Sequence, residues 1–173
     1  MFDGADTERE SHHHSEEQLV SHHKKRTIGW RERVAFPDWK IAGIQAKIDT
    51  GARTCALHVD DVAELPNDRI RFNVVLSRKK PAKKVAAEAK VVRTSRVRSS
   101  SGHQQKRYVV EAKIKIGSVT KVIETSLVSR ANMTCRMLIG RKALEGDFLV
   151  DASKKYLLGA PRKHRKKKAK VNP

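Results

Sequence analysis

Two cysteines in 173 residues are too few for a disulfide framework. Aromatic residues make up only 5% of the chain, too sparse for stacking platforms that hold single-stranded nucleic acid by its bases. No apolar run approaches the roughly 18 residues of a membrane helix. The opening stretch, MFDGADTERESHHHSEEQ, lacks the basic start and apolar centre of a secretion signal. Both cysteines are therefore expected as thiols in a reducing, cytoplasmic compartment, away from any membrane. A collagen-like or coiled-coil fibre is excluded as well, since neither repeat runs through the chain. Acids are scarce: 19 Asp and Glu face 38 Lys and Arg, a formal charge of +19.

That charge is unevenly spread. Residues 1–17 hold six acids and one Arg, whereas residues 161–173 hold seven Lys or Arg and no acid. Between Arg78 and Arg107, eleven basic residues are opposed only by Glu88. Dense like charge stays solvated and attracts polyanions. Two partner classes fit: an acidic polypeptide, or nucleic acid, RNA or DNA, bound by its phosphates. The His12–His14 run and the His22–His23 pair lack partners at zinc-site spacing, so no metal site is expected there.

Apolar patterning divides the chain into three parts. Residues 1–26 read as a disordered acidic and His-rich leader, 27–160 as one folded domain, and 161–173 as a disordered basic tail. Within the domain, Ile44, Ala46 and Ile48 alternate with Gln45 and Lys47. Ile70, Phe72 and Val74 alternate too, as do Val110, Ala112, Ile114 and Ile116. Period two is the mark of strands with one buried face. Thr54 to Val59 is a further short candidate, and Gly117-Ser118 reads as a hairpin turn into Val119–Val128. One short helix is expected at Arg141–Glu145, stopped by Gly146. The fold class is all-β, a sandwich or barrel.

The chemistry concentrates at Asp49-Thr50-Gly51-Ala52, where a buried strand runs directly into an acid. A carboxylate there projects from a rigid platform, Gly51 can leave an amide free to donate to it, and Ala52 leaves space beside it. Asp-x-Gly is also a common way to write a turn. A second element, Met137-Leu138-Ile139-Gly140-Arg141, lies about 90 residues downstream and leads into the short helix.

Taken together, Asp49-Thr50-Gly51-Ala52, the long hairpins and Leu138-Ile139-Gly140-Arg141 resemble a retropepsin, a retroviral-type aspartic protease. The stretches IGWRERVAFPDW, KIDTGARTCALH, VRSSSGHQQKRYVVE, MLIGRKALEGDFLVD and YLLG are similar to a bacterial subfamily of retropepsin-like proteins. That subfamily is found beside ATP-grasp glutamate ligases that modify a ribosomal protein.

The resemblance implies a pepsin-type single-lobe barrel and an aspartic endopeptidase that works as a homodimer. Asp49, Thr50 and Gly51 would form the catalytic loop, with Thr50 bonding across the dimer axis. Leu138, Ile139, Gly140 and Arg141 would support it. Ala52 and Arg53 would meet substrate. A flap hairpin with its tip at Ser99–Gly102 would bring Arg98, Ser101, Gly102 and Arg107 over an acidic, Glu-rich peptide. No metal or cofactor is implied, as the chain has neither a His-Glu-x-x-His helix nor a Gly-rich phosphate loop. Asp147 and Asp151 lack a following Thr-Gly and read as turn or surface acids. Cys55 and Cys135 read as small buried residues and His58 as a structural or surface residue: residues 55 and 58 face opposite sides of a strand, which argues against a Cys–His pair. The rival to the enzyme is a non-enzymatic basic module that binds RNA, DNA or acidic tails.

Overall fold

In the computed structural model, residues 24–98 and 104–159 are described. They form ten strands and one short helix. The strands are β1 (Arg26–Gly29), β2 (Arg31–Phe36), β3 (Ile41–Ile48), β4 (Cys55–Leu65), β5 (Arg69–Val75), β6 (Lys84–Arg98), β7 (Gln104–Ile116), β8 (Val119–Val128), β9 (Met137–Ile139) and β10 (Phe148–Asp151). The helix α1 (Arg141–Leu144) lies between β9 and β10. Residues 1–23 and 160–173, and with them most of the leader and all of the basic tail, lie outside the described residues. β1 includes Arg26, the last residue assigned to the leader.

Eight strands form one sheet in the order β2-β3-β9-β4-β5-β6-β7-β8. β8 returns to pair with β4, and β7 with β2, so the sheet closes on itself as the expected all-β barrel. β1 and β10 form a separate two-stranded parallel sheet.

Alternation decides what fills the interior. Val34 and Phe36 of β2, Ile44, Ala46 and Ile48 of β3, and Ala112, Ile114 and Ile116 of β7 are all buried. Each such Ile or Phe contributes roughly 1.5–3 kcal/mol by leaving water. Trp39 stacks on Phe36 at a centroid distance of 4.8 Å and meets Phe72 edge-on at 5.4 Å. The Gly117-Ser118 turn forms where expected, with Gly117 at φ +61°.

Two features depart from simple alternation. β4 runs six residues past Val59 because β5 pairs along it, from Val59 opposite Val74 to Leu65 opposite Arg69. Glu32 is fully buried on the same face as Val34 and Phe36. Its carboxylate accepts the amides of Gly29 (2.9 Å), Leu157 (2.8 Å) and Leu158 (3.4 Å). This one side chain ties the Tyr156-Leu157-Leu158 segment to the start of the barrel, since a buried charge persists only where donors surround it.

Candidate active site

Asp49 sits at the end of β3, and main-chain bonds fix it on several sides. Its amide donates to the Ile139 carbonyl (2.9 Å), extending the parallel β3–β9 ladder in which Ile48 pairs with Ile139. Its Oδ1 accepts the amides of Gly51 (3.0 Å) and Ala52 (3.2 Å). The carboxylate is thus anchored through one oxygen, and among the described residues Oδ2 takes no such bond. An acid held by two loop amides keeps its orientation without losing its second oxygen to the protein.

The loop carrying Asp49 is gripped from behind. β9 is inserted between β3, with which it runs parallel, and β4, with which it runs antiparallel. Immediately after it, the Arg141 amide donates to the Ala52 carbonyl (2.8 Å) and the Lys142 amide to the Arg53 carbonyl (3.1 Å). The Arg141 guanidinium donates through Nη1 to the carbonyls of Thr50 (2.8 Å) and Gly51 (2.9 Å). Gly140 lies flat against Thr54: a Cβ there would stand 2.4 Å from the Thr54 carbonyl oxygen.

Sheet register carries the site outward from Asp49. Leu138 pairs with Ala56, Ala56 with Ser126, Ser126 with Val109, and Val109 with Arg93. Directly paired residues project from the same face. Lys47, two residues before Asp49, pairs with Leu138, so Asp49 rises from that same face. Its floor is made of small or apolar side chains, and cations stand at its far end. Arg93 bonds Glu124 at 3.0 Å and holds that carboxyl below its ordinary range, with Lys142 and Arg53 adding to the effect.

A loop spanning 129–136 borders this face, locked by His58 and Arg136. The His58 Nδ1 accepts the Arg130 amide (2.9 Å), and the His58 amide donates to the Arg136 carbonyl (2.7 Å). The buried Arg136 returns its guanidinium to the carbonyls of Arg130 (2.8 Å) and Ala131 (3.0 Å). Burial lowers the His58 pKa from 6.5, and the Arg136 charge pushes the same way.

The expected catalytic loop and its support are therefore brought together: Asp49, Thr50, Gly51, Ala52 and Arg53 lie against Leu138, Ile139, Gly140 and Arg141. Arg107 lies two residues before Val109 on the same face of β7, half-buried, opposite Ser95. Arg98 ends β6 opposite Gln104, so a hairpin is present where the flap was expected. Its tip, with Ser101 and Gly102, lies outside the described residues. Cys55 and His58 are both buried, as a structural role requires. Asp147 pairs with Lys121, and Asp151 bonds Ser153, which first holds its carboxyl down, to about 2.

Sequence reading missed Glu32, Arg130 and Arg136. Glu32 carried a signal, since it shares the period of Val34 and Phe36. Arg130 carried none, since the His58 it leans on is 72 residues away.

Comparison with known proteins adds the following. A family model described as RimB-like, retropepsin-like aspartic endopeptidase RimB, matches residues 27–161. A probable alpha-L-glutamate ligase of Shewanella pealeana is 33% identical over 135 residues, which cover 76% of this chain and 30% of that protein. One from Parasynechococcus marenigrum is 31% identical over 139 residues, covering 79% of this chain and 30% of the relative. The chain thus spans under a third of the length of these curated relatives. A crystal structure of a Legionella pneumophila protein of unknown function superposes with a TM-score of 0.65 at 24% identity, covering 78% of this chain and 99% of that one. That likeness concerns the fold.

Proposed function

We propose, from the premise that the chain belongs to the RimB-like family of retropepsin-like aspartic endopeptidases, that it hydrolyses peptide bonds as a two-fold homodimer in which each copy supplies Asp49. The observation that carries this reading is the anchoring of Asp49, one oxygen held by the Gly51 and Ala52 amides and the loop gripped by Arg141. The sequence holds a single Asp-Thr-Gly. Among the described residues the other candidates, Asp147 and Asp151, are engaged with Lys121 and Ser153.

Two copies related by a two-fold axis would bring two Asp49 loops together, the arrangement a symmetric interface favours. Carboxylates held that close cannot both ionise, so they share a proton. The ionised one takes a proton from a water molecule as the water attacks the peptide carbonyl carbon. The protonated one then gives its proton to the departing amine nitrogen. Thr50 is exposed at the tip of the loop, where it could bond its counterpart across the axis.

The substrate would be a glutamate-rich protein tail. Arg53 lies in the Asp49 loop, Arg130 stands within reach of its charge, and Arg93 and Arg107 lie farther along the same sheet face, while the net charge of +19 draws in acidic chains. Relatives named as probable glutamate ligases contain a segment like this chain, which supports a connection to glutamate-bearing products. The test is turnover of an oligoglutamate-tailed peptide by the wild-type protein and by Asp49→Asn. Cleavage that vanishes in the variant is expected. Equal cleavage by both, or none by either, contradicts the proposal. Asp49→Asn also separates the enzyme from a basic binding module, whose retention of RNA would not need that carboxylate.

A further inference from the structure

The cations of this face and of its loops differ in what already occupies them. Arg93 is bonded to Glu124, and Arg141 is spent on the carbonyls of Thr50 and Gly51. Lys47 and Arg53 are exposed, where water competes for their charge. Arg107 and Arg130 are both half-buried, each with a buried Nε that has no hydrogen-bond partner, and among the described residues no carboxylate lies within salt-bridge distance of either. Of the two, Arg130 belongs to the loop that leads into β9 and the Asp49 support. Leaving a buried donor unmatched is costly, so such a group calls for an explanation.

Its setting is also rigid. The amide of Arg130 is held by His58 and its carbonyl by Arg136, at 2.9 and 2.8 Å. Both bonds use the Arg130 main chain and leave its guanidinium out of them. The loop leads into β9, whose Leu138 shares a face with Asp49 and Ala56. Burial disfavours the charged guanidinium, whereas the Asp49 carboxylate favours it through space. Arg130 and Asp49 therefore lie within electrostatic reach of each other.

We propose that Arg130 is a specificity residue of this site, its guanidinium receiving a glutamate carboxylate of the substrate beside the peptide bond presented to Asp49. This rests on the peptidase reading and adds to it the group that selects acidic side chains. A guanidinium offers a planar pair of donors that matches a carboxylate and has nothing comparable to offer a neutral amide. Specificity gained this way depends on a partner that leaves the cation unmatched when it is wrong.

The experiment separates binding from turnover. In an Asp49→Asn background, a fluorescent oligoglutamate peptide and its oligoglutamine counterpart are titrated at low salt by anisotropy, with and without Arg130→Gln. The expected result is that Arg130→Gln weakens oligoglutamate binding by about tenfold or more, the scale of a charge-assisted bond. The glutamate-over-glutamine preference should collapse, and Arg130→Lys should restore part of it. An unchanged preference, with thermal unfolding showing both variants folded, overturns the proposal and leaves the peptidase reading standing. Arg130-dependent binding in a protein whose wild type cleaves neither peptide supports the Arg130 assignment and overturns the peptidase reading.

Discussion

Gly140→Ala is the sharpest structural perturbation of the catalytic loop. Gly140 has φ −89° and ψ 172°, an extended conformation open to any residue, so the backbone itself does not require glycine there. Space does. An added Cβ would stand 2.4, 2.7 and 2.8 Å from the carbonyl oxygen, carbonyl carbon and amide nitrogen of Thr54. Those are main-chain atoms, and the neighbouring carbonyls of Ala52 and Arg53 are tied to Arg141 and Lys142 at 2.8 and 3.1 Å. Relief therefore requires β9 and the Asp49 loop to part. Overpacking of this kind costs about 3 kcal/mol, which lowers the melting temperature by about 10 °C in a domain of this size.

Gly146→Ala is the control. Gly146 has φ +84°, and a Cβ there meets nothing within 4 Å. Its cost is conformational alone, about 1–2 kcal/mol, and it leaves the loop in place. Thermal unfolding followed by circular dichroism, read beside oligoglutamate turnover, distinguishes the two. Gly140→Ala should be the less stable and should lose turnover, whereas Gly146→Ala should keep most of it. A Gly140→Ala protein as stable and active as Gly146→Ala would refute the packing account of the loop.

Two further outcomes follow from buried groups. Glu32→Ala strips the acceptor from three main-chain amides and should cost about 3–5 kcal/mol in urea unfolding, while Glu32→Gln, which keeps one acceptor oxygen, should cost less than half as much. His58 has its pKa lowered from 6.5 by burial, so the unfolded chain binds its proton first as the solution is acidified. Stability from this group is present above about pH 6.5 and declines as pH falls toward the folded value. The protection factor of the Arg130 amide, which divides out the intrinsic slowing of exchange with falling pH, should drop over that range. His58→Asn, whose side-chain oxygen can take the same bond without titrating, should flatten the response.

Much of this was legible in the sequence. Alternation at Ile44–Ile48 and Val110–Ile116 places the walls of the barrel, and Gly117 marks its hairpin, because each depends on neighbours a few residues apart. The Asp49 loop and its Leu138–Arg141 support were readable for a different reason, as a pair of short motifs at a set distance. The full length of β6 was less visible: its stretch KVAAEAKVVRTSRVR is weakly patterned and basic, and it is defined by pairing with β5 and β7. Glu32 was hidden by its charge, though its position in the alternation placed it inside. Arg130 could not be found at all, since its orientation depends on His58 and Arg136 meeting across three segments of chain.

The central claim is that catalysis needs one Asp49 from each of two copies. Mixing wild-type and Asp49→Asn protein at constant total concentration, under conditions that let subunits exchange, tests it most directly. Oligoglutamate turnover should follow the square of the wild-type fraction, falling to about a quarter in an equal mixture. A linear fall, to about half, would mean that each copy works alone and would contradict the shared site.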